Sequence, residues 1–129
     1  MEYQEQINAS ETRITKAIFP STTNHYDTLF GGTALQWMDE TAFITATRFS
    51  RQRFVTVCSD RIDFTVPIPA GTIVELVGRV VRVGTTSLDV NVSVYLEQMY
   101  SKERTKAING AFTFVAISQD RQPEKIIIP

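Results

Sequence analysis

Residues 24–40 read Asn24-His25-Tyr26-Asp27-Thr28-Leu29-Phe30-Gly31-Gly32-Thr33-Ala34-Leu35-Gln36-Trp37-Met38-Asp39-Glu40, so a glycine pair separates an amide from an acid. After the glycines the pattern turns helical and almost wholly apolar or small through Phe49. Ala34, Leu35, Met38, Ala42, Thr45, Ala46 and Phe49 fall on one side, and Trp37, Ile44 and Thr41 on another. A helix apolar nearly all round is expected to be buried. An aspartate in it carries a desolvation cost on the order of several kcal/mol unless it is paired or protonated. Asp39 is therefore a candidate base or nucleophile. The helix start offers the complementary half of such chemistry. Its first-turn amides lack intrahelical partners, its end is partially positive, and Gly31 and Gly32 let a ligand approach the backbone closely. The Gly32 amide is the candidate donor to an oxygen on which negative charge develops.

Asp39 lies seven residues beyond Gly32, almost two full turns, on the same helix face. The rise between them is roughly 10 Å, more than an aspartate side chain spans. A chain's own Asp39 should not reach an oxygen held at its own helix start. Two helices lying antiparallel across a two-fold axis would bring the helix start and Asn24 of one chain to Asp39 of the other. The expectation is a homodimer with two shared sites, with any higher assembly left open.

Each residue also has an architectural alternative. Asp39 could cap a backbone amide, and closing a turn is the role that an asparagine before a helix takes on its type alone. Glu40 lies about 100° further round the helix, toward solvent or a partner chain. His25, the sole histidine, adjoins Tyr26 in a polar loop, and no Gly-x-Ser-x-Gly elbow exists to use it. It reads as a loop or rim residue. The single cysteine, Cys58, cannot form an internal disulfide, and the Cys/His set of a structural zinc site is absent. Within Phe54-Val55-Thr56-Val57-Cys58 it reads as a small core residue.

At 129 residues and 43% hydrophobic, the chain suits one domain over 1–129, with a core about 12–117, that buries roughly two thirds of its unfolded surface. Thirteen basic and 14 acidic residues give a net charge of −1 without a basic run. That balance argues against nucleic acid as a partner, since its binding rests on clustered phosphate-neutralising charge. No basic-then-apolar leader opens the sequence, and no apolar run approaches the ~20 residues of a membrane span. A soluble, cytoplasmic protein with no membrane partner is expected.

The rest of the chain reads as strand. Residues 12–19 form a short run stopped by Pro20; 54–66 form a long run ending at Pro67-Ile68-Pro69-Ala70-Gly71; 73–83, 88–96 and 104–117 follow. Strict alternation over 88–96 marks a sheet with one covered face. Short turns suggest antiparallel neighbours, so the last four strands are expected to form a meander. The result is an α+β fold in which a bent antiparallel sheet of about five strands wraps one long helix. The ends, 1–11 and 119–129, read as polar and partly mobile, with Ile126-Ile127-Ile128 packing on the body.

Taken in order, these pieces resemble the hotdog-fold acyl-CoA thioesterases, specifically the acyl-CoA hydrolase branch. The matching features are Asn24 seven residues before Gly31, Phe30-Gly31-Gly32 opening the helix, Trp37-Met38-Asp39-Glu40, Asp63-Phe64 ahead of the 67–71 turn, and Val83-Gly84 followed by hydroxyl residues. The resemblance covers about residues 12–117. It implies hydrolysis of acyl-CoA to a free acid and coenzyme A, with Asp39, Asn24 and Gly32 as catalytic groups and Asp39 acting as base or nucleophile. It implies no cofactor, coenzyme A being part of the substrate. Gly31 and the segment Arg82, Val83, Gly84, Thr85, Thr86 and Ser87 would bind substrate near the pantetheine arm.

Two positions depart from the family pattern: Asp27 where relatives often carry a small residue, and Thr85 where many carry arginine. The candidate phosphate partners are then Arg61, Arg79, Arg82 and Lys106, with Arg82 preferred. Leu35, Met38 and Phe43 are candidate walls for the acyl chain. The alternatives are a hotdog dehydratase or hydratase, which usually pairs a histidine with an acid, and a non-catalytic acyl-CoA-binding sensor.

Overall fold

The computed structural model describes residues 3–128, in the order helix α1 (Gln4–Ser10), strand β1 (Thr12–Ala17), a 3₁₀ turn (Pro20–Thr22), helix α2 (Gly31–Ser50), and strands β2 (Arg53–Phe64), β3 (Thr72–Val83), β4 (Ser87–Gln98) and β5 (Arg104–Ile117). All strand pairs are antiparallel in one sheet of order β1-β3-β4-β5-β2, with α2 across its inner face. Alternation dictates which side chains meet the helix. On β4, Leu88, Val90, Val92, Val94 and Leu96 are buried, and Asp89, Asn91, Tyr95 and Glu97 are half-buried on the outer face. α2 answers with Ala34, Met38, Thr41, Ala42, Thr45, Ala46 and Phe49.

Helix and sheet approach closely at Gly78 on β3, where a Cβ would collide with Thr45 Oγ1 and lie 3.2 Å from Thr41 Cγ2. Both threonine hydroxyls donate to helix carbonyls, Thr41 to Trp37 and Thr45 to Thr41, at 2.8 Å. An added methyl must turn Thr45 away from its acceptor or push the helix off the sheet. Gly78→Ala is expected to cost about 1–3 kcal/mol, read as a lowered denaturation midpoint with unchanged slope.

Several sequence expectations are corrected. β3, β4 and β5 form the meander, but β2 pairs with β5 at the far edge, with Phe54 opposite Ala116, Thr56 opposite Phe114 and Phe64 opposite Ile108. The short connection 65–71 joins antiparallel strands that are not neighbours. Pro67 and Pro69 keep it extended, so it covers distance instead of reversing at once. It is anchored on the way, by Leu29 N–H on the Ile68 carbonyl (2.7 Å) and Gly71 N–H on the Ile18 carbonyl (2.9 Å). The N-terminal segment is not loosely held from residue 4 on: α1 buries Ile7, and Arg48 donates to the Ala9 and Glu11 carbonyls. Met1 and Glu2 of that segment, and Pro129, lie outside the described residues. Ile126 packs as expected, its N–H on the Thr85 carbonyl, while Ile127 is exposed.

Two further corrections concern burial. Cys58 is exposed and not a core residue, because β2 is an edge strand with little of its surface covered. Nor is α2 buried all round: Leu35, Phe43 and Ile44 are 37%, 45% and 38% exposed. One sheet covers only one side of a helix. Among the described residues no helix is long and apolar enough to cross a membrane.

Candidate active site

Asn24 begins a tight loop. Its Oδ1 accepts from Tyr26 N–H (2.9 Å), Thr28 N–H (3.3 Å) and Thr28 Oγ1 (3.2 Å). Two backbone donors fix the amide's orientation. Among the described residues nothing accepts from its Nδ2. The turn-closing role and a ligand-facing role thus fall to different atoms of one side chain. Asp27 sits in this loop at φ +60°, a conformation that suits glycine and that aspartate tolerates better than most residues. This accounts for the position where the family pattern has a small residue. His25 stacks on Tyr26, centroids 3.9 Å apart, both exposed on the rim.

The loop delivers Phe30, in extended conformation, as the residue before α2, and among the described residues no side chain caps the helix. The amides of Gly31, Gly32 and Thr33 therefore have no intrahelical acceptor. A Cβ at Gly31 would meet nothing within 4 Å, and one at Gly32 only the Phe30 ring. The free amides of Gly31, Gly32 and Thr33 make an open, donor-rich and partially positive corner, joined to the Asn24 loop through the Phe30 N–H on the Thr22 carbonyl at 3.0 Å.

Asp39 lies two turns along, between Leu35 and Phe43 at four-residue spacing, on the uncovered side of α2. The expected buried carboxylate is, in a single chain, only half-buried, because the sheet covers the opposite side of the helix. Its Oδ1 accepts a hydrogen bond from Thr56 Oγ1 on β2 at 3.0 Å. That bond holds the acid sideways toward β2. Thr56 is the site residue that the sequence reading missed. Strand parity carried the signal, since Thr56 follows Phe54 by two residues and so shares its inward face. Glu40 is exposed and accepts from Gln36 Nε2 at 3.3 Å, a surface role.

The segment 82–87 lies at the opposite end of β3 from the chain that leads into the Asn24 loop. Leu88, Phe114 and Thr56 align across β4, β5 and β2, which puts the 83–87 turn at the Asp39 end of the sheet. Gly84 N–H bonds the Ser87 carbonyl at 2.7 Å, and the Thr85 and Thr86 carbonyls hold Ile126 and Ala116. Val83 is half-buried. Arg82, the preferred phosphate partner, is already paired: Nε and Nη2 meet the Asp89 carboxylate at 2.6 and 3.1 Å, and Nη2 reaches Ser87 Oγ at 3.0 Å. Among the other cations, Arg79 binds Asn8 and Glu11, Lys106 lies over the Tyr95 ring, and Arg61 meets Asp63 at 3.6 Å.

Arg82 holds the Asp89 carboxyl below its ordinary range, burial opposing and Thr113 Oγ1 assisting. A depressed folded pKa contributes stability that is present above the unfolded value of about 3.9. It is lost as pH falls through the folded value. Asp89→Asn is expected to cost up to about 1 kcal/mol at neutral pH, and the gap in melting temperature from the parent to close on titration toward pH 3.

Comparison with known proteins places this geometry. A family model described as Thioesterase superfamily matches residues 26–102, more than half of the chain. The chain belongs to the thioesterase superfamily. An uncharacterised acyl-CoA thioester hydrolase of Zymomonas mobilis is 38% identical over 115 residues, 89% of this chain and 77% of that one. The superfamily fold is shared with an acyl-CoA hydrolase of Bacillus cereus at TM-score 0.91 and 36% identity, covering 95% of this chain and 74% of that one. An acyl-CoA hydrolase of Staphylococcus aureus, in complex with butyryl coenzyme A, coenzyme A and coenzyme A disulfide, superposes at TM-score 0.90 and 32% identity, with coverage of 95% and 74%. Structures of that hydrolase also exist with an aspartate, a threonine or an asparagine replaced by alanine. An apo-hexameric acyl-CoA thioesterase superposes at TM-score 0.91 and 33% identity, covering 95% of this chain and 78% of that one.

Proposed function

We propose that this superfamily member hydrolyses acyl-CoA thioesters to a free carboxylic acid and coenzyme A, at sites shared between two copies of the chain. The observation that carries the reading is the Asp39 carboxylate, oriented by Thr56 on the one face of α2 that its own sheet leaves uncovered. The spacing in the Staphylococcus aureus relative supports the roles. Its three replaced residues are separated by 15 and 17 positions, as are Asn24, Asp39 and Thr56 here.

The thioester oxygen takes hydrogen bonds from the Gly32 amide, with Gly31 and the helix end lending positive potential, and Asn24 Nδ2 donates to that oxygen or to the attacking water. Asp39 of the second chain removes the water proton, or attacks the carbonyl carbon itself, and Thr56 holds it in place. The C–S bond then breaks and the thiolate of coenzyme A leaves, taking up the proton that Asp39 removed from water; in the nucleophilic route the thiolate is protonated from solvent and a water then cleaves the acyl-aspartate anhydride to release the acid and restore the carboxylate. The segment 82–87 accompanies the pantetheine arm, with Arg82 sharing its charge between Asp89 and a phosphate.

The dimer follows from what one chain leaves open. The edge of β2 is long and unpaired, Val57 on it is 55% exposed, and Leu35, Phe43 and Ile44 flank Asp39 on the helix. A second copy pairing along β2 covers all of these and buries the acid. The hexameric relative supports a further assembly of dimers. A free thiol at Cys58, on that same strand β2, suits a reducing, cytoplasmic setting. Incubation with acyl-CoAs of graded length while trapping thiol tests the reading. Thiol and acid should appear in equal amounts, whereas binding without release would make the chain a sensor.

A further inference from the structure

Gln52 stands half-buried between the end of α2 and the start of β2 and grips the chain that follows β5. Its Nε2 donates to the Lys125 carbonyl at 3.0 Å and to the Glu124 carboxylate at 3.1 Å, and its Oε1 accepts from Ile127 N–H at 2.9 Å. We propose that Gln52 is a positioning residue for coenzyme A: through residues 123–127 it fixes the Thr85–Thr86 peptide, so that the turn presents a backbone donor to the pantetheine arm. The proposal rests on the reading of the chain as an acyl-CoA hydrolase with segment 82–87 beside that arm.

The connection runs through backbone groups. After β5 the chain reverses over 118–122, with Arg121 at φ +62°, and Pro123 bridges back to Ile117. From there its groups alternate as in a strand. Glu124 and Ile126 turn their N–H to the Ala116 and Thr85 carbonyls, both at 2.8 Å, while the Lys125 carbonyl and Ile127 N–H turn the other way, to Gln52. A carboxamide is donor and acceptor together, so this one side chain bonds the tail as a residue of a neighbouring strand would.

The tail decides how the turn is tilted. Among the described residues the Thr85 carbonyl has no partner but Ile126 N–H. In a trans peptide the carbonyl and the next N–H point opposite ways, so with the Thr85 oxygen on Ile126 the Thr86 N–H faces away from the tail. It finds no acceptor among the described residues. An amide carbonyl of the pantetheine arm supplies one. Gln52 precedes Thr56 by four residues, about 13 Å of strand. One stretch of backbone thus sets the acid, through Thr56, and the coenzyme turn, through the tail.

The test measures kcat and KM for butyryl-CoA in the parent, Gln52→Ala and Gln52→Glu chains, beside calorimetric binding of coenzyme A to each. Gln52→Glu keeps the shape and the bond from Ile127 but loses both donated bonds and sets its carboxylate against that of Glu124. In both variants KM and the coenzyme A dissociation constant should rise about tenfold, the upper scale for one net hydrogen bond, with kcat within about twofold of the parent. KM and affinity unchanged, with thiol release intact, would overturn the positioning role alone. A fall in kcat with KM unmoved would overturn it too, since a residue that only holds the fold lowers the active fraction and not the grip on coenzyme. Gln52→Glu adds no volume, so an ill-folded Gln52→Ala does not excuse either result. A parent that releases no thiol, yet binds coenzyme A about tenfold more tightly than the variants, supports the role of Gln52 and sinks the hydrolase reading.

Discussion

Asp39→Ala lowers the turnover of acyl-CoA by at least about a hundredfold, since a positioned acid or base contributes on the order of 10² to 10⁴. The loss appears in kcat, not in substrate affinity, because the carboxylate meets the water or the carbonyl carbon and not the coenzyme. Fold and stability survive the change. Asp39 accepts one hydrogen bond, from a side chain that sits at the surface of the single chain. Asp39→Asn keeps an acceptor for Thr56 and nearly the same shape, and should be almost as inactive, which separates the charge and basicity of the group from its packing. Initial rates of thiol release, beside calorimetric binding of the same acyl-CoA, check both halves.

Asn24→Asp is the second large effect, a fall of about 10² in kcat, the scale of losing one donor to a developing oxyanion. The choice of aspartate matters. A carboxylate oxygen still accepts from Tyr26 and Thr28, as the amide oxygen does now, so the loop before α2 keeps its closure. Only the NH₂ donor is removed, and a negative charge is placed beside the anion that forms in the reaction. Were Asn24 merely a turn residue, this variant would retain activity and Asn24→Ala would be the damaging one. Rates for the two variants, with melting temperatures, distinguish the roles.

Much of this was legible in the residues because period and punctuation agree. The alternation of β4, the Gly31-Gly32 opening of α2 and the proline turn at 67–71 each name their element. The strand order was not, since Pro67 and Pro69 mark where a strand stops but do not say whether the chain reverses or crosses. Thr56 was hidden for a related reason: its partner, Asp39, is 17 residues away and is met only once β2 lies beside the helix. The pairing of Arg82 with Asp89 also depends on register, through β3 and β4. Cys58 and the outer side of α2 looked buried because apolar neighbours in sequence do not reveal which faces one chain leaves bare.

The account stands on the acid and the donor corner coming from different chains. Asp39→Ala and Asn24→Asp chains, each nearly inactive alone, should be unfolded together in equal amounts and refolded, and their thiol release compared with that of each variant refolded by itself. Random pairing makes half of the dimers mixed, and each of those carries one intact site and one doubly altered one, so about a quarter of the parent activity should return. Activity no higher than the mean of the two variants, from a preparation shown to contain mixed dimers, would place acid and donors in the same chain and contradict the shared site.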